Sequence, residues 1–277
     1  MSSYKEHILN LNYCLYSQLG ANTLARDDSL LILNPRNPIH QQSNICCRLR
    51  FQTKDEQAFQ DFLLATKSYF KQLGLVPRYF VDELATPSLN ILAGWFEQYG
   101  HTKVEIDTDI IMACTLGDYE NAIKEEKEKD DRNKIKIKKA TLNHVDALAQ
   151  TISASFRYGD DIEWLKKKLT TQIMDHQTSV YILQNENDGK IISTAIINCP
   201  DCYPNFIHIN VCATHPDYQK KGFGKLCLQQ ALPLHLTSSD HVAYLEVYDD
   251  IAHAQRMYNK IGFQSKGTLN SFSITLS

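Results

Sequence analysis

A run of eleven residues without an apolar side chain, KEEKEKDDRNK at positions 124–134, divides this chain of 277 residues. Such a segment cannot enter a hydrophobic core, and its mixed charges favour a solvent-exposed helix or tether. The run therefore predicts two domains, each long enough to bury its own core. We expect a first domain over 1–116, a charged linker over 117–133 and a second domain over 134–277.

The composition, with 43% hydrophobic and 22% charged residues, is typical of a globular protein and excludes a largely disordered chain. The formal net charge of −3 gives no cationic excess, so we expect neither nucleic acid nor a membrane surface as a partner. No apolar stretch approaches the ~20 residues that cross a bilayer. The first residues lack a secretory signal, so the expected location is cytoplasmic.

Eight cysteines are spread thinly along the chain, most of them in apolar strings. A reduced thiol packs there as a small hydrophobic group, so we interpret the cysteines as reduced. Only Cys199 and Cys202 have metal-ligand spacing, and neither a second Cys-x-x-C nor a His pair completes four ligands. We expect a turn between two strands at this position and no metal site.

Hydrophobic periodicity over the second domain predicts a mixed α/β (α+β) fold with the order β α α β β β α β α β. The predicted strands are 135–138, 179–184, 190–198, 206–214, 242–248 and 271–276. The predicted helices are 145–156, with Asn143 as its cap, and 162–173, 223–236 and 252–261.

The strongest chemical signal is the heptapeptide QKKGFGK, which lies between a predicted strand and a predicted helix. Gly222 and Gly224 allow close approach to the backbone, and a helix N-terminus adds about half a positive charge. The three lysines of this segment, Lys220, Lys221 and Lys225, add cationic side chains. Taken alone, the segment fits a turn with solvated lysines equally well; in this position it predicts a pyrophosphate site.

Two longer segments contain family-type motifs. The stretch 211–225, VCATHPDYQKKGFGK, has x-Pro-x-Tyr before Gln-x-x-Gly-x-Gly, and the stretch 254–263, AQRMYNKIGF, has Ala-x-x-x-Tyr-x-x-x-Gly-Phe. Together with the element order over 134–277, they resemble the GNAT superfamily of acyl-coenzyme A-dependent N-acetyltransferases. One departure is Ile251, where that family often has an asparagine that contacts pantetheine.

The resemblance implies acetyl-CoA, or another acyl-CoA, as co-substrate and a mixed, mostly antiparallel central sheet flanked by helices. Pantetheine would bind the backbone where two central strands separate, and the pyrophosphate would bind main-chain amides of the loop. The implied residues are Cys212, Ala213 and Thr214 for pantetheine, and Gln219, Lys220, Lys221, Gly222, Phe223, Gly224 and Lys225 for the pyrophosphate.

The same resemblance implies catalytic roles for two side chains. Tyr258 matches the tyrosine that protonates the departing thiolate, and a phenol with a pKa near 10 is protonated at neutral pH. His208 lies where the family has a Glu or His that takes the amine proton, often through water, and a pKa near 6.5 suits this task. Asn210 shares its strand face. A packing role for Tyr258 and a structural role for His208 stay open, and His215 and His253 are further candidates for the base.

The acceptor is expected to be an amine of a small molecule or a protein. In the family, the segment 156–164 borders the acceptor site, and here it contains Tyr158, Asp160 and Asp161. Carboxylates beside aromatic rings suit a cationic amine, with Asn210 as a further contact. The carboxylates equally suit a helix cap.

The first domain resembles the end of the second. A constant offset of 162 positions aligns Phe96 with Tyr258 and Gly100 with Gly262. This pattern predicts two tandem GNAT-like domains with a shortened first copy. That copy is expected to be catalytically degenerate, because a phenyl ring cannot donate a proton and no Gly-x-Gly precedes its helix at Lys54. It would serve as a substrate wall or partner surface, or only stabilise the protein.

Taken together, the sequence predicts an N-acetyltransferase whose second copy is active. The alternative is a protein that binds coenzyme A as a sensor or scaffold without turnover. A module for protein interaction that binds no cofactor fits the lysine-rich loop least well.

Overall fold

The computed structural model describes residues 3–20, 22–51, 55–101, 103–125, 135–185 and 188–276. The chain folds into two compact units, each assembled from two stretches of sequence. The larger unit comprises Met1–Leu15 and Ile110–Gly267, and the smaller unit comprises Tyr16–Asp109 and Thr268–Ser277. Within the described ranges, no helix has both the length and the apolar character needed to cross a membrane.

The elements alternate between helices and strands along the chain. The α-helices are α1 (Tyr4–Gln18), α2 (Glu56–Gln72), α3 (Leu89–Gly100), α4 (Leu116–Glu125), α5 (Val145–Phe156), α6 (Glu163–Met174), α7 (Phe223–Ala231) and α8 (Ala252–Asn259). The strands are β1 (Asn22–Ala25), β2 (Leu30–Leu33), β3 (Ile45–Cys47), β4 (Arg78–Asp82), β5 (Asp107–Thr115), β6 (Lys138–Lys139), β7 (Thr178–Gln184), β8 (Ile191–Asn198), β9 (Phe206–Thr214), β10 (Val242–Tyr248) and β11 (Gln264–Thr275).

The smaller unit is built on strands in the order β1-β2-β3-β4-β11. Strands β1 to β3 pair antiparallel, β3 and β4 pair in parallel, and the last part of β11 pairs antiparallel with β4. Helix α2 connects the parallel pair, because parallel neighbours need a crossover connection. In its core, Phe59 of α2 packs on Phe96 of α3 with ring centroids 5.1 Å apart, and both side chains are fully buried.

Helix α2 begins with an acidic cap. Asp55 accepts a hydrogen bond of 2.9 Å from the backbone N–H of Gln57, and Glu56 follows in the first turn. The Asp55 carboxylate satisfies one backbone donor, and both carboxylates complement the helix dipole. An acidic side chain thus occupies the place that a bound anion would need.

The larger unit has strands in the order β5-β10-β9-β8-β7-β6. Strands β6 to β9 are antiparallel neighbours, whereas β9 and β10 are parallel and connected by α7. Helices α5 and α6 cover one face of this sheet, where Leu148 and Leu169 belong to a core with Ile182. Helix α7 covers the opposite face, where Leu228 belongs to a second core with Ile207. The expected fold class, a mixed and mostly antiparallel sheet flanked by helices, is confirmed.

The predicted elements of the second domain are present, with differences at their ends. The first strand lies at Lys138–Lys139 instead of 135–138, and the last begins at Gln264 instead of 271. Asn143 is not a cap: Thr141 caps a short 3₁₀ turn (Leu142–His144) that leads into α5. Helix α7 stops at Ala231, because a proline follows in the next turn.

The compact units differ from the contiguous domains expected from the sequence. Most of helix α1 belongs to the larger unit, where His7 Nδ1 lies 2.9 Å from the Tyr244 hydroxyl. Residues 117–125 are not a free linker, because they form most of α4, whose Tyr119 hydroxyl donates to the carbonyl of Gln229. The rest of the predicted linker, 126–133, lies outside the described residues.

The two units repeat one succession of elements. In each, an antiparallel pair is followed by a helix, a parallel strand, a second helix and a final strand, as β2-β3-α2-β4-α3-β5 and as β8-β9-α7-β10-α8-β11. The final strands are exchanged: β11 pairs with β4 in the smaller unit, and β5 neighbours β10 in the larger one. The return of β11 to the smaller unit explains why that unit is not a contiguous stretch, whereas the larger unit is discontinuous because it includes most of α1.

The Cys199–Cys202 segment forms a turn between β8 and β9, as expected. Cys202 Sγ lies 2.8 Å from Cys14 Sγ of α1. Among the described residues, no group of three or more His, Cys, Asp or Glu side chains is arranged to hold a metal ion.

Candidate active site

The two parallel strands of the larger unit separate along their length. Their register begins at Val242 with Phe206 and ends at Tyr244 with His208, although β9 continues to Thr214. Beyond His208, β9 is paired only with β8. Backbone donors and acceptors on its other edge therefore face an opening that a ligand can satisfy.

A β-bulge re-aims the side chains of β9 at this opening. Val211 pairs with Ile196 and Ile209 pairs with Ile197, so Asn210 is the extra residue. Bulges of this kind change which face the following side chains occupy. His208 and Asn210 consequently face α6, whereas the side chains of Cys212 and Thr214 face α7.

The loop before α7 has the backbone shape of an anion site. Lys220 and Gly222 have left-handed φ angles of 59° and 81°, and α7 begins at Phe223. Left-handed residues turn neighbouring N–H groups toward a common point, next to the positive end of the helix. A Cβ at Gly224 would lie 2.9 Å from Thr214 Oγ1, so only glycine allows this close approach of helix and strand.

Two side chains of the loop before α7 form hydrogen bonds with backbone carbonyls. Gln219 Nε2 donates to the carbonyl of Thr214 at 3.1 Å, and Lys221 Nζ donates to the carbonyl of Asp217 at 2.8 Å. Lys221 Nζ also lies 5.6 Å from the centre of the Tyr218 ring. Lys220 is exposed, and Lys225 is half-buried in the first turn of α7.

Tyr258 lies half-buried on α8, on the same side of the sheet as Cys212. Desolvation, followed by the nearby Cys212, holds the pKa of its phenol well above 10. Its ring packs edge-on against Phe263, with centroids 5.9 Å apart, and among the described residues its hydroxyl forms no hydrogen bond. The phenol therefore stays protonated and able to donate.

His208 is almost fully buried, with 2% of its surface exposed. Burial, and then the positive charge of Lys168, lower the pKa of its imidazole to about 4. Its Nδ1 atom has no hydrogen-bond partner among the described residues. His208 is therefore neutral at pH 7. It is a weaker base than a histidine with the ordinary pKa near 6.5, which the sequence analysis assumed.

The segment before α6 is arranged differently from both sequence interpretations. Tyr158 stacks on Phe156 with centroids 5.5 Å apart, while Asp160 and Asp161 are exposed. Neither carboxylate caps α6, because the cap residue is Ile162 and it makes no side-chain cap. In the described part of the chain, no hydrogen bond or ring contact joins Tyr158, Asp160 or Asp161 to His208.

Of the other sequence candidates, His215 and Ile251 have structural roles. His215 accepts a hydrogen bond from the backbone of Asp217 and caps a short 3₁₀ turn, whereas His253 is exposed on α8. Ile251 packs against the α7-side core at the start of α8. An apolar residue at that position thus has a packing role that an asparagine would not fill.

Sequence reasoning missed two buried polar side chains of α6. Lys168 and Gln172 lie one turn apart on its buried face, and Gln172 Nε2 donates to Asn210 Oδ1 at 3.3 Å. The signal was the helical spacing 165, 168, 169 and 172, which assigns the third lysine of a run of three to the inner face. Glu246 on β10, which accepts from Asn12 Nδ2 at 2.8 Å, was also missed.

The sequence model described as "Acetyltransferase (GNAT) family" matches residues 145–263, which lie within the larger unit. The chain contains a GNAT acetyltransferase domain. This GNAT domain includes the separated strands β9 and β10, the glycine loop and Tyr258. No curated protein sequence matches the chain.

Solved structures share the fold at low sequence identity. A conserved protein of unknown function from Staphylococcus epidermidis ATCC 12228 has a TM-score of 0.69 at 14% identity, over 94% of this chain and 96% of that one. A GCN5-related N-acetyltransferase from Kribbella flavida has a TM-score of 0.64 at 14% identity, over 95% and 94%. A tandem GNAT protein from the clavulanic acid biosynthesis pathway has a TM-score of 0.57 at 8% identity, over 89% and 78%. The likeness extends beyond the GNAT domain to the fold of most of the chain.

Proposed function

We propose that the GNAT domain transfers an acetyl group from acetyl-CoA, or another acyl group from its CoA thioester, to a primary amine of a small molecule or protein. The observation that carries this proposal is the opening between β9 and β10, with a glycine loop and a helix N-terminus at its end. Backbone groups on one side and clustered N–H groups on the other suit an extended thioester that ends in a pyrophosphate.

The residues present fit such a co-substrate. The unpaired edge of Cys212, Ala213 and Thr214 would bind the pantetheine arm. The amides of 219–225 would bind the pyrophosphate, and Lys220 and Lys225 would add positive charge. Acetyl-CoA would supply the activated acyl group.

Two protonatable side chains would then serve the transfer from opposite faces of the sheet. On the α7 face, the Tyr258 hydroxyl would donate a proton to the departing sulfur, since its raised pKa keeps it protonated. On the α6 face, His208 Nδ1 would accept the proton that the amine loses, directly or through a water molecule. Neutral His208 has a lone pair available at pH 7.

We infer that the smaller unit is a second GNAT-like copy without acyl-CoA chemistry. Phe96 stands where the larger unit has Tyr258, and its ring is fully buried between aromatic neighbours such as Tyr79 and Phe272. Asp55 caps the helix that would receive the pyrophosphate. A ring without a hydroxyl and a helix end occupied by carboxylates support this inference.

Tyr258→Phe is expected to lower kcat for thiol release about 10- to 100-fold, while the affinity for acetyl-CoA changes less than threefold. The thiolate is a moderately good leaving group, so the lost acid costs less than a full general-acid contribution. Free thiol release is followed against polyamines, aminoglycosides, amino acids and lysine peptides. Tyr69→Phe in the smaller unit is the matched control, and equal kcat values for both variants would contradict the role of Tyr258.

The pH profile tests His208. With the pKa lowered to about 4, the acid limb of kcat that reports this group should lie near pH 4 rather than between 6 and 7. The measurement is kcat at saturating acceptor from pH 4 to 9, compared with His208→Gln. An identical acid limb in both proteins would exclude His208 as the base.

A coenzyme A sensor without turnover is the second candidate. The low basicity of His208 and the apolar Ile251 favour it. Tight acetyl-CoA binding by calorimetry, with no thiol release on any acceptor of the panel, would decide for this candidate.

A further inference from the structure

We propose that the acceptor is an amino acid, whose carboxylate binds Lys168 and whose amine is received by Gln172 and His208. This inference rests on the proposed acyl transfer and specifies the class of its acceptor. Four polar side chains between α6 and β9 form the site, which we call the α6 cluster: Lys168, Gln172, His208 and Asn210.

The α6 cluster is built by two matching spacings. Lys168 and Gln172 are four residues apart on α6, which separates them by about 6 Å along the axis. His208 and Asn210 are two residues apart on β9, which is also a separation of about 6 Å. The helix pair therefore faces the strand pair, with Lys168 beside His208 and Gln172 bonded to Asn210.

Three of the four side chains are buried, and several of their polar atoms have no partner among the described residues. Lys168 is 8% exposed, Gln172 is 1% exposed and His208 is 2% exposed. Among the described residues, Lys168 forms no ion pair or hydrogen bond, and neither Gln172 Oε1 nor His208 Nδ1 has a partner. Two buried polar atoms without a hydrogen bond are costly, and an ammonium largely removed from water without an anion is costly as well. Each would gain from a partner that the described residues do not supply.

The polar groups without a partner suit a ligand that has a different chemical group at each end. Lys168 offers a positive charge with N–H donors, which suits a carboxylate. Gln172 Oε1 accepts hydrogen bonds, as does His208 Nδ1 in the tautomer that carries its proton on Nε2, so both suit the N–H groups of an amine. A molecule with an amine and a carboxylate a few bonds apart satisfies both, whereas an acceptor with only positive charges would be repelled by Lys168.

The cluster also lies where an acceptor amine has to arrive. His208 is the last residue of β9 that pairs with β10, and Asn210 is the bulge residue at the start of the opening. An amine held by Gln172 and His208 would be presented at the edge of the opening in which the thioester is proposed to bind. The carboxylate, held at Lys168, would fix its orientation.

The test uses acceptors that differ only in the carboxylate. Leucine is compared with isoamylamine, and phenylalanine with phenethylamine, with kcat/KM expressed per deprotonated amine. We expect the amino acid to be preferred at least tenfold in one pair or more. Lys168→Met should raise KM for that amino acid at least ten times more than KM for its partner amine, while Lys167→Met, an exposed neighbour on α6, should change neither. Equal effects on both acceptors, or preference for the amines in every pair, would overturn the proposal.

A binding measurement separates this proposal from the acyl transfer. The standard amino acids and β-alanine are titrated by calorimetry into the protein saturated with coenzyme A, which permits no turnover. Binding that is lost in Lys168→Met and kept in Lys167→Met supports the amino-acid site even if no thiol release is found. Thiol release with amines, together with no amino-acid binding, would contradict the amino-acid site but support the proposed acyl transfer.

Discussion

Gly222→Glu is expected to lower the affinity for acetyl-CoA at least 100-fold, a loss of about 3 kcal/mol, while the chain stays folded. Gly222 has a φ of 81° and is exposed at the N-terminus of α7. A glutamate there adds about 1 kcal/mol of backbone strain and places a carboxylate at the positive end of the helix. The new charge would compete with the pyrophosphate for the same N–H groups.

Two control variants separate strain from charge. Gly222→Ala introduces the strained backbone without the carboxylate and should lower affinity less than tenfold. Gly74→Glu introduces the same charge at an exposed glycine of the smaller unit, with a φ of 68° and open space around it, and should leave affinity unchanged. Calorimetry with acetyl-CoA and thermal unfolding are measured for all three. Unchanged affinity in folded Gly222→Glu would show that the loop is not the pyrophosphate site.

The parts of the site that could be predicted are those fixed by short stretches of sequence. Strand β9 begins and ends at the predicted residues, because its apolar run is bounded by an Asn205 turn and by Pro216. The glycine loop was predictable since left-handed backbone at Gly222 favours glycine and the close approach at Gly224 requires it. Local chemistry decides these features, so a single sequence reveals them.

The bulge at Asn210 could not be predicted from the alternation of side chains. Regular alternation would place His208 and Cys212 on one face of β9, whereas the inserted residue sends them to opposite faces. A bulge depends on the register with β8, which periodicity within one strand does not report. The inserted residue therefore brings Cys212 to the face of the proposed acid Tyr258 and leaves the proposed base His208 on the opposite face.

The sequence also did not predict which strands belong to each unit. The exchange of β5 and β11 depends on which strand edges meet in three dimensions, and the final strands of the two repeats look interchangeable in sequence. The environment of His208 was hidden for the same reason. Burial, and then the charge of Lys168, which lies forty positions earlier on α6, lower the pKa of its imidazole.

Lys168→Met is expected to raise the free energy of unfolding at neutral pH, by up to about 3 kcal/mol. Burial lowers the pKa of Lys168 from 10.5 to about 8, so at pH 7 the folded protein holds a buried ammonium that the unfolded chain would hydrate. Methionine has a similar length and no charge to desolvate. A substitution in a binding cluster would thus stabilise the fold.

The stability that Lys168→Met gains over the parent should depend on pH. Between pH 8 and 10.5 the unfolded chain binds a proton at Lys168 that the folded protein has released, so the free energy of unfolding of the parent rises with pH through this window. The advantage of Lys168→Met should therefore be largest below pH 8 and vanish as the pH approaches 10.5.

On the acid side, the pKa of His208, lowered to about 4, makes the parent lose stability as the pH falls from 6.5 to 4. That loss should be smaller in the variant, because the repelling charge is gone.

Urea unfolding of the parent, Lys168→Met and Lys167→Met at pH 5, 7, 9 and about 10.5 tests the expected pH dependence of stability on both the acid and the alkaline side. The exposed Lys167→Met variant should follow the parent within about 0.5 kcal/mol throughout. A destabilised Lys168→Met protein, or an advantage that does not change with pH, would mean that the ammonium of Lys168 is already paired. A pH-dependent gain in stability together with a selective loss of amino-acid affinity would instead identify Lys168 as a charge that the fold tolerates because its ligand supplies the missing anion.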